Sequence, residues 1–168
     1  MPASAPALTT IDDGPAWWFL DTLMVERSPA GREPVVTEAV LPVGASPPLH
    51  VHHHLDDSFY VLSGRVVVRC GPDVQVASPG AWVPFPRGVP HTFRVMGGPA
   101  RLLMVHADDS FLALVRELGQ PAASAELPAP TGGPGLPALD RALAAHDITN
   151  VGPPMSEEEA LAALVPHA

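Results

Sequence analysis

The sequence is poor in cysteine and in positive charge. Its 168 residues include one cysteine, Cys70, so no internal disulfide can form, which is typical of a reducing cytoplasm. Nine Lys and Arg residues stand against 18 Asp and Glu residues, giving a formal net charge of -9. We therefore expect no nucleic-acid partner, because phosphate backbones are bound by clusters of basic side chains.

Long apolar runs are also missing. No run approaches the roughly 20 residues that span a bilayer, and no basic amphipathic segment suits a membrane surface. The first ten residues, MPASAPALTT, lack the basic and apolar regions of a secretory signal. From these features we expect a cytoplasmic protein with no membrane partner.

Proline and glycine, by contrast, are abundant, with 22 and 14 residues. Most of them separate short apolar runs, which is typical of a turn-rich β protein. Many short strands at this spacing indicate a sandwich or a barrel. The predicted strands are residues 16–26, 34–43, 50–54, 58–62, 65–70, 73–77, 81–85, 91–95 and 101–107.

The pattern changes after residue 108. Residues 111–119, FLALVRELG, place apolar side chains on one helical face, with Asp109 or Ser110 as the candidate N-cap. A short helix over residues 139–146 and a last one capped by Ser156 follow a proline-rich connector. We expect three parts: a flexible N-terminal lead (1–14), a β-barrel (15–108), and C-terminal helices with the proline-rich connector, packed on the barrel (109–168).

Four side chains from two separate segments form a candidate transition-metal site. The run from Gly44 to Gly64 offers His50, His52 and Asp57, and a later run, GAWVPFPRGVPH, ends in His91. Alternate residues of a strand share a face, so His50 and His52 point the same way. Three imidazoles and a carboxylate suit iron, nickel, manganese, cobalt, copper or zinc, and ligand softness does not choose among these metals.

Neighbouring acids and histidines fit this site less well. Asp56 precedes Asp57 by one position, and strand parity favours Asp57. We expect His53 and His54 at a solvated strand end, with His54 as the replacement ligand if Asp57 does not reach the metal. His106 follows an apolar strand and precedes two acids, so we expect it at an exposed strand end, with a place in the cavity lining as the alternative.

The two runs resemble the paired motifs of the cupin superfamily. At two positions the chain departs from them, because the family's Glu is Asp57 here and the family's Asn is Val95. The layout that follows the barrel is similar to that of single-domain bacterial cupins of the quercetin dioxygenase type. The matching positions are Gly44, His50, His52, an acid at Asp57, Gly64, Gly80, Pro86, Gly88 and His91.

The resemblance implies an all-β, cupin-type jelly-roll barrel with a short α-helical C-terminal extension and one divalent transition metal inside. It also implies a homodimer, since the first strands of single-domain cupins often cover the barrel or exchange with a partner subunit. Strand parity adds Phe59, Val61, Phe93 and Val95 as the lining of an apolar pocket. We therefore expect an aromatic or apolar small-molecule substrate.

Three function classes follow from this site. The leading hypothesis is a metal-dependent, quercetinase-like dioxygenase acting on an aromatic or enolic small molecule. There Asp57 would be the catalytic base, as the resemblance to quercetinase-like enzymes implies for the matching Glu. The second is a non-redox, metal-dependent cupin, such as a polyketide cyclase, isomerase or lyase, in which the metal acts as a Lewis acid. The third is a small-molecule-binding cupin without catalysis.

Overall fold

A computed structural model of the chain describes residues 14–28, 31–130 and 136–165. None of the helices in these described parts has the length and apolar character needed to cross a bilayer. Of the predicted N-terminal lead, all but Gly14 lies outside the described residues. The elements are, in chain order, β1 Ala16–Phe19, β2 Thr22–Glu26, β3 Val35–Leu41, β4 Pro48–His52, β5 Asp57–Cys70, β6 Asp73–Ala77, β7 Trp82–Phe85, β8 His91–His106, α1 Ser110–Leu118, β9 Gln120–Pro121, α2 Leu136–Ala145, β10 Ile148–Pro154 and α3 Glu157–Leu164.

The two long strands, β5 and β8, are shared by both halves of the sheet. They pair antiparallel from Cys70 opposite His91 to Phe59 opposite Met104. Beside one end of this pair lie β6, β4 and β10, and beside the other end lie β7, β3, β2, β1 and β9. The sheet is antiparallel throughout these pairings and helices are few, which confirms the predicted all-β jelly-roll fold with short C-terminal helices.

The core lies between the two halves of the sheet. Inward side chains of β3, β5 and β8 are fully or almost fully buried there, and the apolar face of α1 packs against the same core. Burial of this apolar surface is the main favourable term in forming the barrel. The largest fully buried apolar side chains of this core are Phe59, Phe85, Leu102, Leu114, Val61 and Val66.

Three local features differ from the predicted strands. The predicted strand over residues 16–26 is a hairpin, which turns at Leu20 with φ +53°. The interruptions predicted near Gly64 and Gly97 lie inside β5 and β8, where the pairing shifts register instead of ending. Strand β10 was not predicted, because its sequence contains three residues typical of turns, Gly152 and the two prolines that follow.

Strand β10 matters because it supports the strand that carries two of the candidate ligands. It pairs antiparallel with β4, with Ile148 opposite His52 and Asn150 opposite His50. Ile148 is buried in the main core. The C-terminal part of the chain, through β9 beside β1 and β10 beside β4, therefore contributes strands to the sheet.

Gly64 allows the close approach of β5 to β8. It has φ +85°, and a Cβ atom there would lie 2.6 Å from the Pro99 carbonyl oxygen and 2.7 Å from Ala100 Cα. Gly97 has a similar φ of +75° but open space around it.

We expect Gly64→Ala to lower the free energy of unfolding by about 3 kcal/mol or more, and Gly97→Ala by only about 1–2 kcal/mol. Urea denaturation of both variants would measure this difference, and equal losses would contradict it.

Candidate metal centre

The structure brings together three histidines that are distant in sequence. β4 carries His50 and His52, β8 begins at His91, and His50 is the residue opposite His91 where these strands pair. One ligand atom of each ring lies within 4.8 Å of the others, and the ring centroids are 4.5–5.3 Å apart. Alternation along β4 and a single cross-strand pair are therefore sufficient to assemble the group.

Hydrogen bonds to the backbone fix which ring nitrogen is free. His50 Nδ1 donates to the Pro48 carbonyl oxygen at 2.8 Å, and His91 Nδ1 donates to the Val89 carbonyl oxygen at 2.9 Å. Because a carbonyl only accepts, Nδ1 carries the proton and Nε2 keeps its lone pair.

The free nitrogens fit a divalent transition metal. His91 Nε2 is buried and has no hydrogen-bond partner among the described residues. Neutral imidazoles held through Nδ1, with Nε2 free, are the ordinary donors for such metals. His50, His52 and His91 could therefore hold a metal ion, and this donor set leaves its identity open.

Burial keeps these rings neutral. Burial lowers the pKa of His50 to about 4, helped by neighbouring His91. Burial also lowers the pKa of His52 to about 4, against the opposing effect of Asp57. The pKa of His91 is lowered for the same main reason. Near neutral pH, metal binding therefore needs no proton to be displaced from these rings.

Asp57 is buried next to the histidine group. Its Oδ1 accepts the Ser58 backbone N–H at 2.6 Å and lies 3.0 Å from His106 Nε2, while Oδ2 lies 4.0 Å from His52 Nε2. Burial alone raises the pKa of Asp57, but the neighbouring imidazoles, His106 first, outweigh it and leave the pKa below its usual value. Asp57 is therefore an anion at neutral pH, with Oδ2 on the side of His52.

His106 is a site residue that the sequence prediction missed. It was expected to be exposed, but 1% of it is exposed, and its ring stacks on Phe111 of α1 at 4.7 Å. The prediction was wrong because α1 folds over the end of β8 and covers the His106 ring with Phe111. The inward alternation of Leu102, Met104 and His106 was the available signal.

The competing residues lie outside the group. Asp56 is exposed and pairs with Arg87 at 3.0 Å. His53 and His54 are exposed, and His54 Nε2 lies 3.6 Å from Asp147. The structure therefore separates the candidate replacement ligand His54 from the three histidines.

The four residues predicted to line a pocket belong to the hydrophobic core or pack against it. Phe59, Val61 and Val95 are fully buried in the core, and Phe93 packs against it while partly exposed. Phe85, which the sequence prediction did not include, stacks on His91 with ring centroids 4.3 Å apart. Phe85 thus places an aromatic ring against the histidine group, and Phe59 packs on Phe85 with ring centroids 5.5 Å apart.

A small cavity of about 60 Å³ adjoins His52. The loop after β4, the start of α1 and the turn between α2 and β10 surround it. It is lined by His52, His53, His54, Leu55, Asp108, Ser110, His146 and Asp147. His52 is the one member of the three-histidine group among these lining residues.

These features define a class of protein, an antiparallel β-barrel with an interior group of three histidines able to hold a metal. The family model described as Cupin domain matches residues 37–106, from within β3 to the end of β8. The chain therefore contains a cupin domain over these residues. All four predicted metal-site residues lie within the matched region. No curated protein matches the sequence.

Several solved structures are similar to part of the chain. TT1209 from Thermus thermophilus is 34% identical over 50% of this chain and 82% of that chain, with a TM-score of 0.44. The cupin domain of Schizosaccharomyces pombe Cnp3 is 21% identical, covering 60% of this chain and 74% of that chain, with a TM-score of 0.48. A putative sugar phosphate isomerase from Acidithiobacillus ferrooxidans is 22% identical over 51% of this chain and 60% of that chain, with a TM-score of 0.45. Likenesses of this size assign no activity to this chain.

Metal binding should depend on His52 and not on His54, its neighbour on the same segment. We expect His52→Ala to weaken binding of Zn²⁺ or Ni²⁺ by about 100-fold or more, because it removes one of three donors. The exposed His54→Ala is the matched control and should change affinity by less than about threefold. Titration against a competing chelator measures both, and equal losses would contradict this ligand set.

The metal-free protein should lose stability on mild acidification. Unfolding restores the pKa of His50 and His52 from about 4 to about 6.5, so the unfolded chain binds more protons as pH falls between these values. We expect the free energy of unfolding to fall by about 1–2 kcal/mol per histidine between about pH 7.5 and about pH 5. Urea denaturation with a chelator present measures it.

The matched control for this pH dependence is the double variant His50→Gln, His52→Gln, which should lose most of the slope. His53→Gln, at an exposed position, should keep it. A slope unchanged in the double variant would show that other groups cause it.

Proposed function

We propose that this protein is a metal-dependent enzyme that acts on a small enolic or enolisable molecule, with Asp57 as the base. The observation that carries the proposal is the buried Asp57 carboxylate beside three neutral histidines, with Oδ2 toward His52 and Oδ1 against Ser58 and His106. A carboxylate in this position can take a proton from a molecule bound at the histidine group.

The two oxygens of Asp57 have different surroundings. Oδ1 is held by the Ser58 N–H, whereas Oδ2 accepts no hydrogen bond from the described residues. Oδ2 is therefore the basic oxygen. When bound by His50, His52 and His91, a divalent metal supplies a Lewis acid that acidifies a coordinated hydroxyl or the C–H next to a coordinated carbonyl.

The lowered pKa of Asp57 limits the substrates that it can deprotonate. A carboxylate with a low pKa is a weak base, so it removes only a proton that is already acidified. Enols, phenols and carbonyl compounds with an adjacent C–H meet this condition. The ring of Phe85 against His91 and the small cavity beside His52 favour a small, flat compound.

Two reaction classes begin with this proton transfer. The dioxygenase predicted from the sequence would combine the deprotonated substrate with oxygen and needs a redox metal. A non-redox isomerase, cyclase or lyase would return the proton elsewhere in the molecule. Asp57 itself favours the second class, because it is shorter than the Glu of the family motif and alters the position of the base. The homodimer and the cytoplasmic location stay predictions.

Turnover of small enolic compounds should require both the metal and Asp57. We expect Asp57→Asn to lower kcat by about 100-fold or more, because the amide cannot accept the proton. Assays with protein loaded with Fe²⁺, Ni²⁺ or Zn²⁺, in air and without oxygen, separate the two classes. Oxygen uptake with Fe²⁺ or Ni²⁺ alone supports the dioxygenase, and turnover with Zn²⁺ without oxygen supports the non-redox class. Metal binding without turnover of diketones, flavonols or hydroxyketones would contradict both.

A further inference from the structure

Asp57 and His106 form a buried pair beside the histidine group. The shortest contact of Asp57 with an imidazole is with His106, at 3.0 Å, whereas His52 Nε2 is 4.0 Å away. Among the described residues, the group whose ligand atoms all lie within 4.8 Å of one another contains three histidines and no carboxylate. Asp57 is therefore next to the donor set without completing it.

His106 has few partners other than Asp57. Both of its ring nitrogens are buried and make no well-aligned hydrogen bond with the described residues. Nε2 nevertheless lies within hydrogen-bonding distance of Asp57 Oδ1, at 3.0 Å. Stacking on Phe111 holds the ring in this position. A buried imidazole that satisfies so little of its hydrogen-bonding capacity is costly, so its position calls for a role.

We infer that His106 is a positioning residue that holds the Asp57 carboxylate back from the metal, so that three histidines alone form the protein's ligand set. The Ser58 N–H and His106 Nε2 both contact Oδ1 of Asp57. These two contacts prevent the Asp57 side chain from rotating toward His50 and His91. Donor atoms around one metal lie about 3 Å apart, so the 4.0 Å gap to His52 would close after a small movement. The role of Asp57 Oδ2 as a base rests on the proposed function. The inferred ligand set of three histidines does not depend on that function.

Co²⁺ is the probe for this inference, because its visible absorption reports the ligands directly and needs no substrate. We expect Asp57→Asn to leave the Co²⁺ absorption bands unchanged, because the three nitrogen donors stay in place. Removing the nearby negative charge lowers the affinity whether or not Asp57 coordinates, so the bands and not the affinity are the readout. Altered absorption bands would show that Asp57 is a ligand and would overturn the inference.

His106→Phe tests the positioning role, since it keeps the ring stacked on Phe111 but removes both nitrogens. We expect the released Asp57 to bind the ion, which changes the Co²⁺ spectrum and raises the affinity by about tenfold. Adding Asp57→Asn to this variant should restore the wild-type spectrum. A residue that only fills space would change thermal stability without an effect that depends on Asp57, so identical spectra in wild type and His106→Phe would overturn the role.

His106→Gln is the conservative variant, because its amide can still donate to Asp57. It should keep the wild-type Co²⁺ spectrum, and a spectrum like that expected for His106→Phe would count against donation to Asp57. If His106→Phe does not fold, Asp57→Asn and His106→Gln still decide the ligand set. The Co²⁺ spectra are recorded without substrate, so they do not depend on activity. An inactive enzyme that gives the expected spectra would refute the proposed function and leave the inference standing.

Discussion

The antiparallel pairing of β5 with β8 is the contact on which both the barrel and the metal centre depend. It brings Cys70 to His91 at one end and Phe59 to Met104 at the other. β4 then pairs with the opposite edge of β8, where His50 faces His91. Pairing strands so far apart in sequence carries a loop-closure cost, and burial of apolar side chains between the two halves of the sheet offsets it. The histidine group is therefore a product of the core.

A barrel interior with several imidazoles and a carboxylate is stable only if each group is neutral or has partners for its charge. Burial keeps His50 and His52 neutral, so they do not repel a cation. Asp57 stays charged, and the Ser58 N–H and the imidazole of His106 stabilise that charge. The interior thus combines neutral nitrogen donors with one nearby negative charge, an arrangement that attracts a divalent cation.

The histidine group could be predicted from sequence, whereas the long-range contacts around it could not. His50 and His52 share a face because a strand alternates, and the motif spacing placed His91 near them. His106 and β10 depend on contacts between distant parts of the chain. His106 is buried because α1 lays Phe111 on it, and β10 exists because β4 offers it a free edge. Local sequence encodes neither contact, and the prolines of β10 even argue against a strand.

Asp57 shows where prediction from local pattern ends. Strand parity correctly separates it from Asp56, which lies at the surface beside Arg87. Parity sets the direction of a side chain but not the distance that it covers, and a carboxylate one methylene shorter than Glu depends on its neighbours for that distance. In this chain the neighbours of Oδ1 are the following residue in β5 and the last residue of β8. Strand β8 thus begins with the candidate ligand His91 and ends with His106, which contacts the Asp57 carboxylate.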